Sequence, residues 1–137
     1  MTQAPAKPLP SIDEENKPFW EACKKHELRL QKCTSCGTIR FPITPICANC
    51  MSMDYEWAKM SGRGKVYSYS IIRRASHPAF AGEIPYDVAI IQLEEGPRMI
   101  SSVVGIDSRE VRIDMPVEVV FEDMSDEISL PKFKPVK

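Results

Sequence analysis

Four cysteines stand as two close pairs, Cys33-Thr34-Ser35-Cys36 and Cys47-Ala48-Asn49-Cys50, with ten residues between them. Each pair offers two sulfurs from one tight turn, and the spacer is long enough to fold back and close a tetrahedral four-sulfur cage. That is the spacing of a structural metal site. Four thiolates suit zinc or iron on spacing alone. Iron ribbons of the rubredoxin type carry a glycine after each pair; here Gly37 follows the first and Met51 the second, which favours zinc. With Cys33, Cys36, Cys47 and Cys50 all committed as ligands, no coordination position remains for a substrate, so the metal is expected to hold structure.

The other reactive side chains do not assemble into a catalytic set. Cys23 sits on an apolar helical stripe and reads as a small buried residue; the competing reading is a thiol activated by Lys24 and Lys25. His26 falls at a helix end, where an imidazole caps carbonyls, and His77 precedes Pro78 in a loop. Neither has a serine or cysteine at a spacing that marks a nucleophile. Glu83, Asp87, Glu94 and Glu95 show no pairing for acid–base work, and Gly62-Arg63-Gly64 is too short for a phosphate loop. What remains is a binding surface. Arg40, Arg63, Lys65, Arg73 and Arg74 flank a junction between two regions, with Phe41, Tyr67, Tyr69 and Phe80 near them in sequence. Cations beside aromatic faces suit a phosphate-bearing ligand with a stackable base, although tyrosines on strands are commonly core. Phe80 lies in a loop from His77 to Gly82 and is a candidate contact or lid residue.

Residues 1–10 read as a disordered lead-in, 11–27 as a helical segment, 28–60 as a zinc ribbon and 61–137 as a barrel. Ser11 is the expected N-cap, with Asp13, Glu14 and Glu15 in the first turn. Pro18 is expected to split the segment, a second helix starting near Lys17 and carrying Phe19, Trp20 and Cys23 on one face. That aromatic pair either packs on the body of the protein or meets a partner subunit. Residues 28–32 form a strand into the first cysteine turn, Arg40-Phe41-Pro42 leads out of it, and 55–57 close the ribbon, with Trp57 packing on the knuckles. Beyond the Ser61–Gly64 turn, residues 65–74, 86–94, 99–104, 116–122 and 130–136 alternate as five strands rich in Val, Ile and Tyr. Five short strands in about 70 residues fit a small closed barrel, an OB-fold or an SH3-like barrel.

The chain has 137 residues, 12 prolines and 43 % hydrophobic residues. This composition suits one compact unit, mainly β. An odd count of five cysteines argues against a disulfide framework, and the absence of a leader pattern or a membrane-length apolar run implies a cytoplasmic protein with reduced thiols. The net charge of −1 conceals an asymmetry: residues 24–74 hold ten Lys/Arg against three Asp/Glu, and the rest hold eight against sixteen. A basic middle attracts phosphates, unless basic and acidic parts face one another.

Several segments in this order resemble one family. They are Phe19-Trp20, the stretch from Leu28 to Cys33, Arg40-Phe41-Pro42, both cysteine pairs, the stretch from Ser61 to Tyr69, His77-Pro78-Ala79-Phe80, Glu94-Glu95-Gly96-Pro97-Arg98 and Met115-Pro116-Val117-Glu118-Val119. The family is the acyl-CoA-associated OB-fold proteins with a rubredoxin-like zinc ribbon, once called domain of unknown function thirty-five. Two departures are His26, where relatives often have glycine, and Met51 after the last cysteine.

The resemblance implies N-terminal helices, a zinc ribbon and a five-stranded OB barrel. It also implies a non-catalytic accessory subunit beside a thiolase-superfamily or other acyl-CoA enzyme: some members resemble the small subunit of benzoylsuccinyl-CoA thiolase, and others pair with steroid side-chain hydratases or aldolases, or with hydroxymethylglutaryl-CoA synthase. Such a subunit helps bind a coenzyme A thioester and completes the partner's substrate channel. Arg40, Phe41, Arg63, Arg73, Arg74 and Phe80 are the expected coenzyme A contacts. The alternative is a single-stranded nucleic-acid binder, a role both modules can serve. The acidic run from Glu122 to Glu127 speaks against it.

Overall fold

The computed structural model describes residues 10–75 and 78–136, without the side chain of Phe80. It contains one short helix and two antiparallel sheets, so the fold is mainly β. The helix, α1, covers Lys17–Lys24 and buries Phe19, Ala22 and Cys23 along one stripe. Residues 11–16 do not join it, which corrects the expectation of two helices with Ser11 as the N-cap. Asp13 and Asn16 instead exchange hydrogen bonds, each backbone N–H donating to the other's side-chain oxygen at 2.8 Å. Short polar side chains that bond to nearby backbone offer the chain a turn in place of a helix. Pro18 then lies in the first helical turn, where its missing N–H loses nothing.

The helix ends in a Schellman turn. The His26 N–H donates to the Cys23 carbonyl at 2.8 Å, and the Glu27 N–H donates to Ala22 at 2.9 Å. His26 takes the left-handed position with φ +60°, where glycine is usual. Its backbone therefore does the capping, and the ring does not cap carbonyls as the sequence suggested. It stacks on Phe121 with centroids 5.2 Å apart and meets the Asp123 carboxylate at 3.0 Å.

The first sheet has the order β2-β1-β3, from Ile39–Arg40, Arg29–Cys33 and Tyr55–Lys59. The second runs β6-β5-β4-β7-β8. Its strands are Arg63–Ile72 (β4), Tyr86–Leu93 (β5), Arg98–Ser101 (β6), Pro116–Asp123 (β7) and Ser129–Pro135 (β8). The sheet curls into a half-barrel whose far edges touch through a parallel bridge between Val103 and Phe133. Buried Asp87 secures this closure by accepting the Val103 N–H at 2.8 Å. Inward residues Val66, Ala89, Ile91, Leu93, Met99, Val117 and Phe133 form the core, and Phe19, Cys23, Leu28 and Leu30 of the helix and ribbon join the same cluster.

The two sheets meet through a tight link. The Met60 N–H donates to Leu28 O at 2.7 Å, and the Ser61 N–H donates to the Glu95 carboxylate at 2.7 Å. Gly62 follows at φ +84°, and a Cβ there would lie 2.5 Å from the Val119 side chain. Only glycine permits this approach of the ribbon exit to β7.

Candidate metal centre and binding surfaces

The two knuckles repeat one backbone pattern. Gly37 N–H donates to Cys33 O and Met51 N–H to Cys47 O, both at 2.8 Å, while Cys33 N–H reaches Thr38 O at 2.8 Å and Cys47 N–H reaches Ser52 O at 2.9 Å. Both residues after the second cysteine have positive φ, +80° at Gly37 and +66° at Met51. The turns bring all four Sγ atoms within 4.8 Å of one another, with Cys33–Cys50 at 3.5 Å and Cys36–Cys47 at 3.7 Å. Sulfurs about 2.3 Å from a tetrahedral zinc stand about 3.8 Å apart, so the set fits the ion. Cys33 and Cys47 are buried, Cys36 and Cys50 exposed.

The surroundings tune the thiols unequally. The Asn49 side chain, then the Thr38 hydroxyl and amide, pull Cys36 down to about 5. Cys33 is lowered, chiefly by the Cys36 amide. At Cys50 the Ser52 amide pulls down, but bonding to Cys33, burial and the remaining thiols push it up to about 12. Four thiols this close cannot all ionise without a cation among them.

A fully buried Gln31 ties the second knuckle to the first sheet. Its Nε2 donates to Thr44 O and its Oε1 accepts Thr44 N–H, both at 2.9 Å. Nothing local in the sequence marks this clamp beyond a polar residue on an alternating strand. Cys23 is wholly buried, and burial alone raises its thiol to about 12. That leaves it an inert apolar filler.

The arginines expected at one junction are dispersed. Arg63 opens β4, a ten-residue strand of roughly 30 Å, and Arg73 follows directly after its far end. Arg63 is engaged by Glu94, Nε to Oε2 at 3.4 Å. Lys65 pairs with Asp114, and Arg29 and Lys59 share Glu27. Much of the basic middle thus faces acidic neighbours. Arg73 and Arg74 are exposed with no ion pair among the described residues. Arg40 is half-buried, donates from Nη2 to Thr44 O at 3.1 Å and lies over the Tyr55 ring. Phe41 packs on Phe19 and lines a cleft of about 630 Å³ with Trp20, Ile43, Met99 and Ile100. Pro78–Phe80 forms a single 3-10 turn; His77 and the Phe80 side chain lie outside the described residues.

His26, Asp123 and Ser129 form a chain of polar contacts, yet not a nucleophilic triad. Asp123 stands in the middle and accepts from both the Ser129 hydroxyl and the imidazole, so the imidazole does not reach the serine oxygen and the order of a triad is not met. The outer face of β4–β6, the side on which OB barrels take oligonucleotides, is aliphatic. Val88, Ile90 and Ile100 share it through the register Ile90↔Ile100, and Ile100 is 66 % exposed. Tyr67 and Arg98 stack at one end, 3.8 Å from guanidinium carbon to ring centroid. The aromatic residues on this face among the described residues, Tyr67 and Tyr86, are set apart along the β4–β5 pair by Val88 and Ile90 and form no run of adjacent platforms for bases.

Residues 20–56 match the family described as "ChsH2, rubredoxin-like zinc ribbon domain", and residues 57–122 match "ChsH2, C-terminal OB-fold domain". A "DUF35 domain-containing scaffold protein" of Methanocaldococcus jannaschii is 41 % identical over 113 residues, covering 77 % of this chain and 79 % of the relative. The chain belongs to the DUF35 family. Among solved structures, the "Ltp2-ChsH2(DUF35) aldolase" contains a chain that superposes with a TM-score of 0.82 at 38 % identity. The overlap covers 93 % of the DUF35 protein and 98 % of that chain. A "Probable enoyl-CoA hydratase alpha subunit" of Thermomonospora curvata is 39 % identical over 129 residues, 94 % of this chain but 40 % of the relative. The DUF35 protein therefore spans well under half the length of that subunit. "Benzoylsuccinyl-CoA thiolase subunit BbsA" of Geobacter metallireducens is 35 % identical over 78 residues, 57 % of this chain and 51 % of the relative. No helix among the described residues is long and apolar enough to cross a membrane.

Proposed function

We propose that this DUF35 protein is a zinc-stabilised accessory subunit of a thiolase-type acyl-CoA enzyme complex, with no reacting group of its own. The observation that carries the reading is the near-complete overlay on the DUF35 chain of an aldolase complex. A thiolase subunit and a hydratase subunit among the relatives support it. The hydroxyls that meet a carboxylate, Ser129 on Asp123 and Ser102 on Asp87, have no histidine beside the hydroxyl oxygen among the described residues, which is consistent with chemistry supplied by another polypeptide.

Within that role, Arg73 and Arg74 are the cations best placed to hold the phosphates of coenzyme A. They are exposed, adjacent and free of ion pairs among the described residues, whereas Arg63 is held by Glu94. Anchoring the remote nucleotide positions the thioester in the partner's site. The 630 Å³ cleft beside Phe41 and Ile100 offers an apolar surface to the partner.

The test is to tag the chain in its native host and purify what accompanies it. A thiolase-superfamily subunit should co-elute, and coenzyme A binding by that complex should weaken at least tenfold when Arg73→Ala and Arg74→Ala are combined. A chain that elutes alone, ignores coenzyme A in calorimetry and binds an oligonucleotide with steep salt dependence overturns the reading.

A further inference from the structure

The geometry points to Arg40 as the counter-charge of the metal centre, a cation held inside the ribbon to offset the negative charge of a zinc tetrathiolate. Zinc with four cysteine thiolates carries two net negative charges. The observation that asks for such a role is an orphaned guanidinium. Nε and Nη1 of Arg40 are buried without a hydrogen-bond partner, and only Nη2 is engaged, by Thr44 O at 3.1 Å. Among the described residues Arg40 makes no ion pair. Arg40 is half-buried as a residue, but two of its three guanidinium nitrogens are shut off from water; a charge desolvated in this way without a counter-ion is disfavoured, and arginine cannot escape by losing its proton.

The register shows which negative charge is within its surroundings. Arg40 lies opposite Gln31 on β1, and Cys33, two residues on, lies opposite Tyr55. Directly opposed residues share a face, and so do residues two apart. Arg40, Gln31, Cys33, Tyr55 and Trp57 therefore project from one side of the ribbon sheet. The guanidinium reaches diagonally across β1, its carbon 5.1 Å from the Tyr55 ring centroid. The segment after Phe41 folds over this face. It sets Thr44 on Gln31 and Arg40, and it brings Cys50 to 3.5 Å from Cys33. Glu56 stands opposite Lys32 on the other face, and Asp54 is exposed, so neither supplies the missing anion. Cys33 places the sulfur cluster on that same side of the sheet. The ring of Tyr55 and the Thr44 carbonyl hold the guanidinium in place, which makes Arg40 a positioning residue for the metal and not a ligand.

Arg40→Gln keeps a donor for Thr44 and removes the charge; Arg40→Lys keeps the charge and removes the fork. Zinc affinity, measured on the full chain by competition with a chromophoric chelator, should fall ten- to a hundredfold in Arg40→Gln, the range seen when an outer-shell partner is lost, and stay within about threefold in Arg40→Lys. Loading iron in place of zinc adds a readout that packing alone would not move. The ferrous cluster carries one more negative charge than the ferric, so Arg40→Gln should lower the reduction potential measured at an electrode, and Arg40→Lys should hold it. Equal zinc affinity in Arg40→Gln and wild type, an unchanged potential, or an equal loss in both variants overturns the assignment. If Arg40→Gln does not fold, Arg40→Lys decides alone: near-wild-type zinc affinity supports the role, and a loss of tenfold or more refutes it.

Discussion

Strands β1–β3 and the loop above them bury little more than Leu30, Gln31, Cys33 and Cys47, and one of these is an amide. Strands β4–β8 bury Val66, Ala89, Ile91, Leu93, Met99, Val117 and Phe133 around one centre. The ribbon replaces a core with four sulfurs and a side-chain clamp; the half-barrel has a core and closes its own edges. Residues too few to bury sufficient apolar surface become ordered through metal ligation, and the energy is concentrated at a handful of atoms. In the barrel it is spread along register pairs. The Leu28 and Leu30 side chains join the barrel cluster, so the ribbon is tied to the barrel at its base and held by metal at its tip.

Removing the metal should give the largest effect and test that division directly. A structural zinc site contributes on the order of 10 kcal/mol at pH 7. Stripping zinc with a chelator, or replacing Cys47 by serine, should abolish hydrogen-exchange protection across residues 34–54 and leave the amides of β4–β8 protected. Simultaneous loss in both sheets would break the comparison and make the chain one cooperative unit. The reverse experiment is Phe133→Ala, at the fully buried position where β8 meets Val103. A cavity there should cost about 3–5 kcal/mol, read as a lowered denaturation midpoint of the barrel, with zinc still bound at one ion per chain. Between these in kind but smaller in size stands Gln31→Leu. It leaves the Thr44 N–H and carbonyl without their partner, costing about 1–3 kcal/mol, and should speed chelator-driven zinc release without moving the barrel midpoint.

The same contrast explains what the chain's sequence made legible. Cysteine pairs are local, so the metal centre could be read from spacing, and the five barrel strands could be read from alternation, with ends shifted by at most three residues. The arginine cluster could not be read, because closeness in sequence along a strand as long as β4 is distance in space; Arg63 and Arg73 part company for that reason. Ion pairs such as Arg63–Glu94 join residues 31 apart and leave no local mark. Gln31 and Arg40 gained their roles only when the second knuckle folded onto the β1 face. Residues 11–16 missed a helix because Asp13 and Asn16 bonded to each other's backbone first.

The two knuckles offer a finer comparison inside the ribbon. Gly37 and Met51 take equivalent left-handed positions, but Met51 is 71 % exposed and buries nothing that would offset a side chain there. Left-handed backbone costs an ordinary residue about 1–2 kcal/mol. Met51→Gly should therefore slow zinc release by roughly tenfold or somewhat less, about 1 kcal/mol, making the second knuckle as relaxed as the first. An unchanged rate would mean that release is governed at the Cys33–Cys36 side.

The smallest expected effect lies where helix and barrel touch. The Ser129 hydroxyl, and after it His26, hold the Asp123 carboxyl below its ordinary range. A carboxylate whose folded value is depressed favours the fold at pH above its unfolded value of about 3.9, and that contribution fades as pH falls through the lower folded value. Thermal midpoints of wild type should thus drop more steeply below about pH 4 than those of Asp123→Asn, and the two should run parallel above pH 5. Because Asp123 is exposed, solvent screens the interaction and the difference should be small. If the asparagine variant instead frees the helix, seen as exposure of Cys23 to a thiol reagent at neutral pH, then the His26–Asp123 contact holds α1 on the barrel, and the ribbon's base is anchored by that contact more than by Leu28 and Leu30.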